Sequence, residues 1–135
     1  MSLSSHISRV HWVGVVTSTL GSFVLGFLWH QPFLFGKRWA EENRDSRARR
    51  KQNLPLTFGG TAVAHLLAFA ALSSVVSGTS ALLGLAAGLT VAVAWVVPAM
   101  AGTYLFANRS LGLLAIDAGM YVVAYGAFGA LLGAW

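Results

Sequence analysis

Polar side chains inside apolar stretches are the groups most able to do chemistry in this chain. Asp117 is the one acidic residue within a long apolar stretch, and histidines and further polar groups occur in others. Ionisable groups in such stretches are costly to bury and are therefore candidates for function. A histidine beside a carboxylate suits proton transfer, because small environmental changes move its protonation across neutral pH. The candidate intramembrane polar site is His30, Gln31, His65, Asp117 and Tyr121.

Three interpretations of this site stay open at the level of sequence. In a structural one, Asp117 accepts hydrogen bonds from His65, a tyrosine or a freed backbone amide and holds the helices in register. In a proton-coupled transporter or channel, Asp117 and His65 titrate as substrate passes. In a metal or haem site, His30 and His65 would be ligands and Asp117 a third ligand or a partner of one.

Motifs of soluble enzymes are missing. The chain has no phosphate-binding glycine loop, no Gly-x-Ser-x-Gly elbow and no His-Glu-x-x-His segment. It also lacks cysteine, which excludes disulfides and thiolate metal sites. We therefore expect no catalytic residues, no bound metal and no cofactor, and we predict that the protein is not an enzyme.

Composition places the chain in lipid. Of its 135 residues 56% are hydrophobic and 10% charged, against roughly 25% charged in soluble domains. Such a small domain needs a large polar surface in water. Four stretches are long and apolar enough to cross a bilayer. They predict an all-α, four-helix integral membrane bundle forming a single domain, 1–135, with spans at about 10–36, 56–76, 81–107 and 111–135.

Charge predicts the orientation of these spans. Seven of the nine basic residues lie in one loop, 37–55, and basic loops favour the cytoplasmic side. Both termini are then outside. The loop is either a topology signal alone or a site for anionic lipid headgroups; with one interleaved aromatic residue, it does not predict nucleic-acid binding. The basic residues are Lys37, Arg38, Arg44, Arg47, Arg49, Arg50 and Lys51.

Spacing in the same loop predicts a short helix. Glu41 and Arg44 lie three residues apart, and Asp45 and Arg49 lie four apart, so each pair would meet on a helix surface.

A Trp-x-x-Pro-x-x-x-Gly pattern occurs twice, as Trp29–Gly36 and as Trp95–Gly102. It arises either from two duplicated helical hairpins or from independent use of helix-kinking prolines. Each proline removes a backbone donor and crowds a preceding carbonyl, so both helices should kink. In the first copy Trp29 and Trp39 would lie at the interface, Pro32 would bend the chain and Gly36 would permit the exit turn. The structural motif is Trp29, Pro32, Phe35, Gly36, Trp39 and Pro98.

Small residues recur every four positions in three of the spans, and this spacing lets helix backbones approach closely. Because four helices have few interior positions, a spare face of this kind also predicts a homo-oligomer. The three sets are Ser18, Ser22 and Gly26; Gly84, Gly88 and Ala92; and Gly129 and Gly133.

The segment from Gly26 to Trp39 resembles the signature of a bacterial membrane-protein family, domain-of-unknown-function family 1761. Gly26, Trp29, Pro32, Leu34, Phe35, Gly36 and Trp39 match its pattern. A weaker similarity covers 116–121, where Met120 separates Gly119 from Tyr121. His30 departs from the pattern, in which an aromatic residue such as tyrosine is usual.

The resemblance implies four membrane helices and no established activity. With this resemblance, the location expected is a bacterial cytoplasmic (inner) membrane. The function expected is a small structural or accessory membrane protein, and the rival hypothesis is a proton-coupled transporter or channel.

Overall fold

The computed structural model describes residues 2–44 and 53–135 of the chain. Arg47, Arg49, Arg50 and Lys51, and the expected Asp45–Arg49 pair, lie outside these residues. The described helices are α1 (Leu3–Ile7), α2 (Trp12–Trp29), α3 (Gly36–Glu42), α4 (Leu54–Val76), α5 (Ala81–Val91), a π-helical turn (Ala92–Val96), α6 (Val97–Phe106) and α7 (Leu111–Ala134).

Four of these segments are long and apolar enough to cross a membrane: α2, α4, the continuous helix Ala81–Phe106 and α7. The all-α, four-span class predicted from composition is therefore confirmed. Hydrogen-bonding side chains set where the later three begin. Asn53, Ser80 and Ser110 each accept a hydrogen bond from the backbone amide three residues ahead, as N-cap residues do.

The first span ends earlier than expected. The prediction ran it through Pro32 to Gly36, but α2 ends at Trp29 and residues 30–35 form a turn. The residue before a proline is disfavoured in helical geometry, and the Phe35 amide donates to the Trp29 carbonyl to close the turn. Gly36 then begins α3, where a Cβ atom would lie 2.2 Å from the carbonyl oxygen of His30.

The second proline behaves differently from the first. The helix continues through Pro98, and the π-helical turn Ala92–Val96 lies directly on its N-terminal side, where the ring crowds the preceding carbonyls. The two Trp-x-x-Pro-x-x-x-Gly segments thus share a spacing but adopt different backbone structures.

Glycines bring α5 and α7 into backbone contact. A Cβ on Gly84 would lie 2.0 Å from the carbonyl oxygen of Gly129, and a Cβ on Gly88 would lie 1.9 Å from that of Tyr125. This close approach confirms that the small residues of these two helices pack within the bundle. Beside it lies a core cluster from several helices: Val15, Phe69, Leu72, Val76, Ala92, Tyr125 and Leu132.

Candidate functional site

Asp117 is the centre of a polar cluster near the start of α7. The Trp39 indole Nε1 donates to Asp117 Oδ1 at 3.1 Å, and the Tyr104 hydroxyl donates to Oδ2 at 2.5 Å. His30 Nε2 lies 3.6 Å from Oδ1, and the Asp117 side chain is 17% exposed. The carboxylate therefore joins α7 to α3, to α6 and to the residue that follows α2.

The His30 ring lies between α2 and the Asp117 carboxylate. Its Nδ1 lies 2.7 Å from the Gly26 carbonyl oxygen, and its Nε2 faces Asp117. The Trp39 ring meets the imidazole edge-on, with centroids 5.4 Å apart. Both ring nitrogens of His30 thus face acceptor oxygens of the protein.

Local sequence positions the groups around Asp117. Tyr104 lies two residues before the end of α6 and Asp117 six residues after the start of α7, on either side of the connecting turn in which Asn108 has a φ of 52°. The Arg109 guanidinium lies 5.6 Å from the centre of the Tyr104 ring, a cation–π contact that orients the phenol. Trp39 reaches Asp117 because the turn closed at Gly36 redirects the chain into α3.

A second contact ties α3 to the start of α7. The Ser110 hydroxyl donates to Glu42 Oε2 at 2.5 Å, and Arg38 Nε donates to Oε1 at 3.0 Å. Both hydrogen bonds lower the pKa of Glu42 below its ordinary value, and the bond from Ser110 has the larger effect. Within residues 2–44 the ion pair of this helix is Arg38–Glu42, whereas Glu41 and Arg44, the pair expected, share a backbone hydrogen bond.

His65 does not join the Asp117 cluster. No hydrogen bond or ion pair links the two in residues 2–44 and 53–135, and the buried Nδ1 of His65 has no hydrogen-bond partner there. Its ring packs among aromatic rings instead, with centroids 5.8 Å from Phe23, 6.1 Å from Phe69 and 6.4 Å from Tyr121. Of the alternative donors considered for Asp117, His65 is therefore not the one that the structure brings to the carboxylate.

The remaining candidate residues have local or packing contacts. Gln31 Nε2 donates to the Phe27 carbonyl at 3.0 Å. Tyr121 contacts His65 and, one turn from Asp117, lines a surface groove with Trp95. Neither hydrogen-bonds to the Asp117 carboxylate in the part of the chain that the structure describes.

Trp29 and Phe35 of the structural motif pack at the end of α2 against α7. The Trp29 indole donates to the Ile116 carbonyl at 3.0 Å, and its ring lies 4.7 Å from that of Phe35. The motif thus fastens the end of α2 to α7, one residue before Asp117.

The sequence predicted a tyrosine as one possible partner of Asp117 and placed Tyr121 in the site, whereas the donor is Tyr104. The available signal for Tyr104 was its position on the helix that the turn at 107–110 joins to α7. Trp39 carried no such signal, because 78 residues separate it from Asp117 and it was interpreted only as an interfacial aromatic residue.

The ligand set proposed for a metal or haem is not assembled. His65 lies among aromatic rings, apart from the His30–Asp117 pair. Across the described ranges, no group of three histidine or acidic side chains is placed to hold a metal ion.

Four apolar helices long enough to span a bilayer, with a partly buried carboxylate near the start of the last one, define a small polytopic membrane protein. Residues 13–133 match a family described as protein of unknown function (DUF1761), and the chain belongs to that family. No curated protein and no solved structure matches it.

Proposed function

We propose that this protein is a structural or accessory component of a bacterial cytoplasmic membrane, in which the Asp117 cluster holds one end of the bundle closed. The observation that carries the proposal is the partnering of both Asp117 oxygens. Oδ1 accepts from the Trp39 indole and Oδ2 from the Tyr104 hydroxyl. A satisfied polar network of this kind makes helix packing specific and rigid.

The experiment is a comparison of parent and Asp117→Asn protein in two assays. Purified protein is first unfolded thermally in detergent, and it is then reconstituted in liposomes that report proton flux. A structural role predicts a lower unfolding temperature for the variant and no flux above empty liposomes for either protein. Glu41→Gln, an exposed carboxylate on α3, is the matched control for loss of one charge.

A proton flux in the parent that Asp117→Asn abolishes would overturn the structural role in favour of proton-coupled transport. The assay would then be repeated with His30→Gln, since His30 is the histidine in contact with Asp117. His65→Gln would test whether His65 titrates together with Asp117 during transport.

We further propose that the basic segment 37–55 faces the cytoplasm and that both termini are outside. The clustering of seven basic residues in one loop supports this orientation. Reporter fusions after Arg44 and after Thr79 test it, and activity of both reporters in the same compartment would refute it.

We also propose that the protein forms a homo-oligomer in the membrane. The helix Ala81–Phe106 supports this, because only 17% of the residues in its 18-residue apolar stretch are buried within one copy. Crosslinking through single cysteines introduced at Leu82 and Val93, both exposed, tests the interface. A chain that stays monomeric in native membranes would refute it.

A further inference from the structure

An apolar groove lies on the surface of α7, beside the C-terminal end of α2. Trp29 and Phe35 form one wall, and α7 forms the floor. We propose that this groove and the first turn of α3 bind one anionic phospholipid, with an acyl chain in the groove and the phosphate on Lys37. This goes beyond the structural role proposed above. The groove measures about 460 Å³ and is lined by Trp29, Phe35, Ala115, Ile116, Gly119, Val122 and Val123.

The groove has the dimensions of an acyl-chain site. Its floor runs from Ala115 to Val123, which is about 12 Å along a helix at a rise of 1.5 Å per residue. One leaflet of the hydrocarbon core is about 15 Å thick, half of the ~30 Å total. The floor therefore follows most of the path of a single chain in a single leaflet.

The wall of the groove is held in place before any ligand arrives. The hydrogen bond from Trp29 to the Ile116 carbonyl and the contact of its ring with Phe35 fix the indole. Gly119 leaves the floor open, because an added Cβ would lie 3.4 Å from the Trp29 ring. Such preformed, mostly apolar concavities are typical of ligand sites.

Two cationic residues, Lys37 and Arg38, closely follow Phe35 of the groove wall in the chain. Lys37 follows Phe35 by two residues and is exposed. Among the residues that the structure describes, none forms a hydrogen bond or ion pair with the Lys37 side chain. Arg38 is also exposed, although its Nε is engaged by Glu42. An exposed ammonium near an apolar groove matches a ligand with an anionic head and an apolar tail.

Neighbouring apolar side chains place this region at the membrane boundary. Phe33 is 74% exposed and Leu34 is 48% exposed, directly before the cations. The hydrogen bond between Ser110 and Glu42 puts the C-terminal end of α3 beside the start of α7, and Lys37 lies in the same seven-residue helix, close to this end of the span. Exposed apolar side chains next to basic residues are typical of segments that bind the surface of a membrane with anionic lipids.

The test compares lipids that differ only in the headgroup. Parent protein in a neutral detergent is titrated with phosphatidylglycerol or phosphatidylcholine of the same acyl chains, and lipid-bound species are counted by native mass spectrometry. We expect one lipid per chain to be retained preferentially from phosphatidylglycerol. Glycerol phosphate, which carries the head without the tail, should not bind at the same concentrations.

Variants separate the two halves of the site. Lys37→Gln should lower the preference for phosphatidylglycerol roughly fivefold, as expected for one basic residue near the lipid surface. Ala115→Phe, which fills the groove floor, should remove retention of both lipids. Arg9→Gln, an exposed cation at the other end of α2, is the matched control and should change neither.

The proposal fails if Lys37→Gln leaves the headgroup preference intact or if Ala115→Phe retains the lipid. Binding of glycerol phosphate equal to that of phosphatidylglycerol would also overturn it. If Ala115→Phe changes the oligomer size instead, the groove is a contact between copies and the lipid assignment is wrong. Val123→Phe replaces Ala115→Phe if the latter does not fold by circular dichroism.

Discussion

The indole of Trp39 donates a hydrogen bond to the carboxylate of Asp117, 78 residues further along the chain. A helix of seven residues, such as α3, is not stable by itself in water. It is held against α7 by this bond and by the hydrogen bond from Ser110 to Glu42. These two contacts fasten the start of the basic segment to the bundle.

A double-mutant cycle should show that Trp39 and Asp117 act as one unit. Trp39→Phe keeps an aromatic ring but removes the donor, and Asp117→Asn removes the charge. Hydrogen bonds to charged groups contribute about 1.5–3 kcal/mol, so we expect Trp39→Phe to lower the free energy of unfolding by this amount. In the Asp117→Asn background the same change should cost much less. Additive effects in reversible detergent unfolding would contradict the contact.

The glycine contact between α5 and α7 should tolerate no side chain. Gly88→Ala would place a Cβ 1.9 Å from the Tyr125 carbonyl oxygen, and overpacking of this kind costs about 1–3 kcal/mol. Gly59→Ala in α4 is the matched control, because beyond its chain neighbours and the backbone of its own helix nothing lies within 4 Å of its added Cβ. The control should keep or raise the thermal stability. A variant at Gly88 as stable as the control would show that the two helices separate readily.

Glu42 should make the stability of the protein depend on pH in the acid range. Its hydrogen bonds from Ser110 and Arg38 depress its pKa in the folded state below the ordinary 4.5. Its stabilising contribution is therefore fully present above the unfolded pKa, and it is lost as pH falls through the lower, folded value. We expect Glu42→Gln to flatten the fall of unfolding temperature below about pH 4.5. Glu41→Gln, on the exposed face of α3, should leave the profile unchanged.

Pro32→Ala should destabilise the turn between α2 and α3. Proline at a compatible turn position stabilises by about 0.4–1 kcal/mol, because it restricts the unfolded chain. The variant should also let α2 extend beyond Trp29, which would weaken the contact of Trp39 with Asp117. Thermal unfolding in detergent measures the loss, and equal stability of variant and parent would contradict this role for the proline.

Much of the architecture was predictable from local properties. The lengths of α4, of the helix Ala81–Phe106 and of α7 follow from apolar runs with capping residues in front of them. The end of α2 was misjudged because the run of apolar residues continues past Trp29, whereas hydrogen bonds of the turn at Pro32 stop the helix.

The sequence by itself determined the composition of each helix, the number of spans and the polar residues within them, because these depend on solvent transfer along one segment at a time. Only the tertiary structure decided which polar residues meet. It directed Trp39, Tyr104 and His30 toward Asp117 and left His65 among aromatic rings. The physical reason is that contact depends on how helices rotate and pack against one another, and close glycine contacts such as that of Gly88 with Tyr125 set that rotation.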